Sequence, residues 1–137
     1  MNLSPHLSFN GQCQEAMEFY QRCLGAQIQQ VLTFGAAPMS ERVPAEWRGK
    51  ILHGTFAIGQ SVLYAGDAPP ERYQAPRGFQ LTLGIADIAE AERVFGELSE
   101  GGAVKMPLQK TFWASRFGVV EDRFGIAWKV NCPGGPE

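Results

Sequence analysis

Histidine and cysteine, the residues that most often carry metal or nucleophile chemistry, are scarce in this chain: two and three respectively in 137 residues. An open metal centre takes about three or four protein donors, so His6 and His53 alone cannot complete one. Three is an odd number of cysteines, and Cys13 and Cys23, if they share a helix, stand about 15 Å apart along it, too far to bridge. They read as reduced, partly buried thiols and not as a disulfide frame or a zinc site. A cationic excess is also missing. The formal charge of −2 leaves nothing with which to neutralise phosphates, which excludes nucleic acid as the expected partner. No apolar run reaches membrane-spanning length, and Met1 to His6 lacks the basic and apolar regions of a leader, so a soluble, cytoplasmic protein is expected. No glycine-rich strand–turn–helix offers a cradle for a nucleotide-type donor, and no nucleophile elbow supports Ser-His-Asp chemistry.

What is present is a hydrophobic share of 45%, enough for one ordinary domain with a real core. From Leu3 to Phe9 apolar and polar residues alternate, the period of a half-buried strand. Asn10-Gly11 turns the chain into a helix whose stripe is Cys13, Ala16, Met17, Tyr20 and Leu24, ended by Gly25. Ile28 to Phe34 is a second strand. Gly35 to Lys50 is a long connection of the kind that forms lids, with one helical turn expected near Val43 to Trp47. Ile51 to Ile58 and Ser61 to Ala65 form a hairpin about Gly59-Gln60.

After a proline-rich linker the pattern restarts. Phe79, Leu81, Leu83 and Ile85 alternate with polar residues and glycine; Asp87 opens a helix with Glu90 three residues on. Ile88, Ala91, Phe95 and Leu98 make its stripe, and Gly101-Gly102 stops it. Strands follow from Val104 to Cys132, with turns expected at Met106-Pro107 and Asp122 to Gly125, and a frayed tail from Pro133. Glu15-Ala16-x-x-Phe19-Tyr20 and Glu90-Ala91-x-x-Val94-Phe95 recur at an offset of 75 residues. A duplicated module accounts for this better than one irregular sheet.

Several segments together resemble the PhnB-like branch of the vicinal oxygen chelate superfamily, which includes glyoxalases, bleomycin-resistance proteins and extradiol dioxygenases. The resemblance rests on Pro5-His6-Leu7-Ser8-Phe9-Asn10-Gly11 leading to Glu15-Ala16 and Phe19-Tyr20, on Ile51-Leu52-His53-Gly54, and on Met106 to Ala114 running into Arg116-Phe117-Gly118, Asp122 to Gly125, Trp128 and Asn131-Cys132. It covers nearly the whole chain. It implies an α+β fold of two βαβββ modules forming a curved mixed sheet, a cavity on the concave side, and commonly a homodimer. One domain is expected over 1–137, with module 1 at about 1–67, a linker at about 68–77 and module 2 at about 78–132. Members of the branch often bear a ubiquinone methyltransferase label, which the missing methyl-donor cradle argues against here.

The superfamily's enzymes take a divalent metal from His, Glu or Gln on the first and last strands of each module. Here Val62 to Ala65 supply no carboxylate, and Lys129 would repel a cation. The expected ligand-binding residues are therefore His6, His53, Trp113, Arg116 and Lys129, lining a polar-aromatic cavity, with no metal, no cofactor and no residue assigned a catalytic role. The histidines suit acid–base work near neutral pH, and the arginine beside an aromatic suits a carboxylate or phosphonate. Against this, each histidine can be a satisfied strand residue, and Arg116 can pair with Glu121 or Asp122 while Phe112, Trp113 and Phe117 pack. Asn131 can add a donor, and Tyr64 is a rim aromatic able to donate a hydrogen bond. The expected function is small-molecule binding by a homodimer. The alternatives are a metal-dependent lyase, isomerase or dioxygenase using His6 and His53, and a protein-interaction domain with a vestigial cavity.

Overall fold

The structure is a computed structural model that describes residues 1–38 and 40–134. It divides into two compact units, Met1 to Gln74 and Ala75 onward. Each has the strand order and helix of a βαβββ module.

In the first unit, β1 (His6–Phe9) leads through Asn10-Gly11 to α1 (Cys13–Leu24), followed by β2 (Gln27–Thr33), β3 (Ile51–Ile58) and β4 (Ser61–Asp67). The sheet order is β1-β4-β3-β2, with β1 parallel to β4 and the other pairs antiparallel. Helix α1 buries Cys13, Ala16, Met17, Phe19, Tyr20 and Cys23 against one face of this sheet. Leu7, Phe9, Phe56 and Leu63 meet it there, and Tyr20 stacks on Phe56 with ring centroids 5.8 Å apart. Each such large side chain removed from water contributes about 1.5–3 kcal/mol. Gly25 ends the helix at φ 67°, the left-handed position a Cβ disfavours.

The start of α1 has no capping side chain of its own. Its first free amide is met from a distance: the buried Asp67 carboxylate, at the end of β4, accepts from Cys13 N and Ile51 N, both at 2.9 Å. One side chain at the end of β4 thus ties the start of α1 to the start of β3.

The second unit repeats the plan with β5 (Leu81–Gly84), α2 (Ile88–Ser99), β6 (Ala103–Gln109), β7 (Ala114–Glu121) and β8 (Ala127–Pro133), in the order β5-β8-β7-β6. Asp87 caps α2, its carboxylate accepting from Glu90 N at 2.9 Å. Ala91, Val94, Phe95 and Leu98 pack on Val120, Trp128, Val130 and Cys132. The buried Asp122 accepts from Phe124 N, Ile126 N and the Trp128 indole, which fixes the last turn and satisfies the largest core side chain.

The repeat is literal for its first half: β1 and β5, like α1 and α2, begin 75 residues apart. For β3 and β7 the offset falls to 63, because residues 34–50 join β2 to β3 whereas only 110–113 join β6 to β7. Three expectations differ in detail. The first strand begins at His6, since Pro5 has no amide to donate; its carbonyl still accepts from Tyr64 N. No turn forms at Met106-Pro107: β6 runs through it as an edge strand with register shifts on either side of Met106, where a proline costs no inner ladder bond. The connection holds two short 3₁₀ turns, Ser40–Arg42 and Ala45–Trp47, where one helical turn was expected. Of the tail expected to fray, 135–137 lie outside the described residues.

Candidate functional site

Strand alternation sends Leu7, Phe9, Phe56 and Leu63 toward α1, leaving His6, His53 and Tyr64 on the opposite, open face of the first sheet. His6 is the strand partner of Tyr64. The His53 and Tyr64 rings lie 5.5 Å apart between centroids, tilted by 33°. Partial burial, reinforced by the nearby His53 charge, lowers the pKa of His6 below its ordinary 6.5. Gly66 makes room for the cluster. A Cβ there would stand 2.8 Å from the Leu52 carbonyl oxygen and 3.8 Å from Cε1 of His6. Beside the cluster a hollow of about 560 Å³ opens between the N-terminal segment and the β3–β4 hairpin, lined by Asn2, Ser4, Pro5, Gln60, Val62 and Tyr64 among others.

In the second unit the open face carries Lys129 and Asn131 on β8, beside Val119 and Phe117 of β7 and Thr82 and Gly84 of β5. The Asn131 Oδ1 is buried with no hydrogen-bond partner among the described residues. A buried acceptor left unpaired costs about 1–3 kcal/mol, so a donor supplied there is rewarded. Trp113 sits edge-on to Phe117 at 5.3 Å and to Phe112 at 4.7 Å, and remains half exposed.

Arg116 is placed differently. It pairs in register with the buried Cys132, on the face that carries α2. Its Nε donates to Glu92 of that helix at 3.2 Å and its Nη1 to the Ser115 carbonyl at 2.7 Å. Lys129, in register with Val119, projects from the other face. The structure thus brings His6 and His53 together in the first unit and puts Trp113 beside the open face of Lys129 in the second. Arg116 is turned from that face and held by a glutamate other than either partner anticipated from the sequence.

Among the described residues, no three His, Cys, Asp or Glu side chains converge as a metal site would require. His6, His53 and Tyr64 gather two imidazoles and a phenol, short of the usual metal-ligand set. The cysteines offer no nucleophile either: all three are buried, and burial first, then Asp67, pushes the Cys13 thiol up to about 12. The open face of the first sheet offers two imidazoles and a phenol, and that of the second an ammonium, an unpaired amide oxygen and aromatic rings for stacking. Tyr64 is the residue whose importance sequence reading understates. Its parallel pairing with His6 is a long-range fact that local periodicity does not carry.

No helix among the described residues is long and apolar enough to cross a membrane. A family model described as 3-demethylubiquinone-9 3-methyltransferase matches residues 1–131. Protein YjdN of Escherichia coli K12 is 37% identical over 139 residues, spanning 96% of this chain and 95% of its own. The crystal structure of PA1353 from Pseudomonas aeruginosa shares 43% identity over 97% of this chain and 98% of that one, with a TM-score of 0.87. The PhnB protein from Bacillus cereus aligns at a TM-score of 0.82 with 22% identity, over 96% and 99% of the two chains. A glyoxylase/bleomycin resistance protein/dioxygenase domain from Frankia sp. EAN1pec, 13% identical with a TM-score of 0.65 over 98% of both chains, shares the fold. The chain therefore belongs to the family described as 3-demethylubiquinone-9 3-methyltransferase, and it has the fold of a glyoxylase/bleomycin resistance protein/dioxygenase domain.

Proposed function

We propose that the protein is a homodimeric, cytoplasmic small-molecule-binding protein whose ligand is held on an open sheet face without a metal or cofactor. The observation that carries this reading is the His6–His53–Tyr64 cluster. Two titratable rings and a phenol converge on an otherwise uncommitted sheet face, one imidazole is already tuned, and a hollow shares Tyr64. Lys129, Asn131 and Trp113 supply a cation, an unpaired acceptor and a stacking surface on the second sheet. Arg116, engaged by Glu92, enters the reading only if a ligand displaces that carboxylate. Exposed Val31, Leu32, Val104 and Met106 on the outer strands support association into a dimer.

The methyltransferase activity in the family description is not part of this reading. The β1–α1 turn is Asn10-Gly11-Gln12, without the run of glycines that lets a backbone wrap a nucleotide-type donor.

The test is a metabolite and antibiotic screen read by the NMR signals of the two imidazoles, alongside metal analysis of protein purified without chelator or histidine tag. Ligands that shift His6 and His53 together in metal-free protein support the proposal. Stoichiometric Zn, Ni, Mn or Fe that disappears on His6→Ala would overturn it in favour of a metal-dependent enzyme. A monomer by light scattering at high concentration removes the dimer.

A further inference from the structure

The connection between β2 and β3 is not slack chain. Phe34 N donates to the Lys50 carbonyl at 3.0 Å and Gly35 N to the Arg48 carbonyl at 2.9 Å, closing its base like a ladder. Gly35 is needed there, since a Cβ would stand 2.9 Å from the Arg48 oxygen. Farther out, Trp47 N donates to the Pro44 carbonyl, Arg48 Nε donates to the Val43 carbonyl, and Lys50 Nζ reaches back to the Gly11 carbonyl at 2.8 Å. Prolines at 38, 44, 69 and 70 stiffen both this segment and the turn after β4 that faces it.

Between these two segments lies a pocket of about 760 Å³, within the size range of small-ligand sites. Its walls include Phe34, Pro44, Trp47 and Leu52, with Phe34 and Trp47 edge-to-face at 5.9 Å. Arg42 and Arg72 also line it, one from each segment, and neither guanidinium is engaged by a hydrogen bond or ion pair among the described residues. Glu46 and Glu71 line it too and are likewise unpaired. Neither histidine takes part.

An apolar aromatic wall with two free cations and two free carboxylates is an unusual surface to leave to water. A purely anionic ligand would meet the two glutamates unfavourably, a cationic one the two arginines, and a neutral ring would use neither pair. We propose that this pocket is a second small-molecule site, separate from the histidine face, that takes an aromatic zwitterion: an aromatic amino acid or an amino-bearing aromatic acid. The ring lies against Trp47, the acid is gripped by Arg42 and Arg72, and the ammonium is met by Glu46 and Glu71. The assignment stands whether or not the histidine face binds anything.

The test is an NMR titration of the isotope-labelled, full-length protein with four probes that share a ring: L-tryptophan, indole-3-acetate, tryptamine and indole. The expected result is that L-tryptophan shifts the Trp47 indole NH and the Phe34 amide, leaves both imidazoles unmoved, and binds more tightly than the other three. Arg42→Ala with Arg72→Ala then weakens L-tryptophan by about tenfold or more while leaving tryptamine no weaker. Because neither arginine is tied to the fold, the double variant keeps the wild-type spectrum elsewhere, and the comparison among probes on the unaltered protein needs no variant. Failure of every probe to move Trp47 at concentrations on the order of 10 mM would overturn the proposal. So would indole binding as tightly as L-tryptophan, or shifts confined to His6 and His53.

Discussion

His53 and Tyr64 hold their rings 5.5 Å apart on the open face of the first sheet, and the partner of Tyr64 on β1 is His6. The three residues come from β3, β4 and β1, so the cluster exists only when the sheet is assembled. His6 has its pKa lowered by burial first and by His53 second. Between the lowered folded value and the ordinary 6.5, the unfolded chain binds the extra proton, so stability rises with pH. The contribution is fully present above 6.5 and is lost as pH falls toward the folded value. Imidazole titration by NMR is expected to place His6 below 6.5, and His53→Gln to raise it only in part, since burial remains. A His6 midpoint at or above 6.5 would show that the imidazole is not desolvated as described.

Asp67 and Cys13 make a second measurable pair. The carboxylate accepts two buried amides, so Asp67→Ala leaves both unpaired and is expected to cost on the order of 3 kcal/mol in urea unfolding. With Cys13 pushed up to about 12 and all three thiols buried, the native protein is expected to resist a thiol reagent at pH 8 and to react fully only after denaturation. Prompt reaction of Cys13 or Cys23 in the native state would contradict the packing around α1, and of Cys132 the packing under α2.

Gly118 sits where α2 crosses the second sheet. A Cβ there would stand 2.7 Å from Cε2 of Phe95 and 2.9 Å from Cα of Leu108, so both helix and edge strand would have to yield. Gly118→Ala is expected to lose about 1–3 kcal/mol by overpacking, although alanine is ordinarily the milder residue in a strand. Gly84→Ala, with open space around it, is the control expected to change little.

Much of this architecture is legible in the residues because its signals are local. The alternation of Leu7 and Phe9, the α1 stripe, the Asp87 cap and the Glu-Ala repeat depend only on near neighbours, and the elements lie within a few residues of where those patterns put them. The candidate site is legible only in part, because its geometry is set by register between distant strands. Nothing near His6 announces Tyr64 as its partner, and nothing near Arg116 says that its position faces α2. Asp67 capping α1 across 54 residues leaves no capping signature at Gln12. The pocket beside Trp47 is hidden for the same reason, since its two walls are joined only through the β3–β4 hairpin.

Arg116 and Lys129 leave the second sheet from opposite faces. From sequence both are expected at the ligand, yet register places them on opposite faces, with Glu92 already engaging the guanidinium at 3.2 Å. The Arg116–Glu92 pair is partly exposed, so Arg116→Ala is expected to change stability by less than about 1 kcal/mol. For a ligand bound on the open face, Lys129→Ala is expected to weaken affinity by about tenfold where the ligand is anionic, and Arg116→Ala to leave it unchanged. Isothermal titration with any ligand found by the screen measures both. If Arg116→Ala instead abolished binding, the guanidinium would have to leave Glu92 for the ligand, and Glu92→Gln, by freeing it beforehand, would then tighten binding.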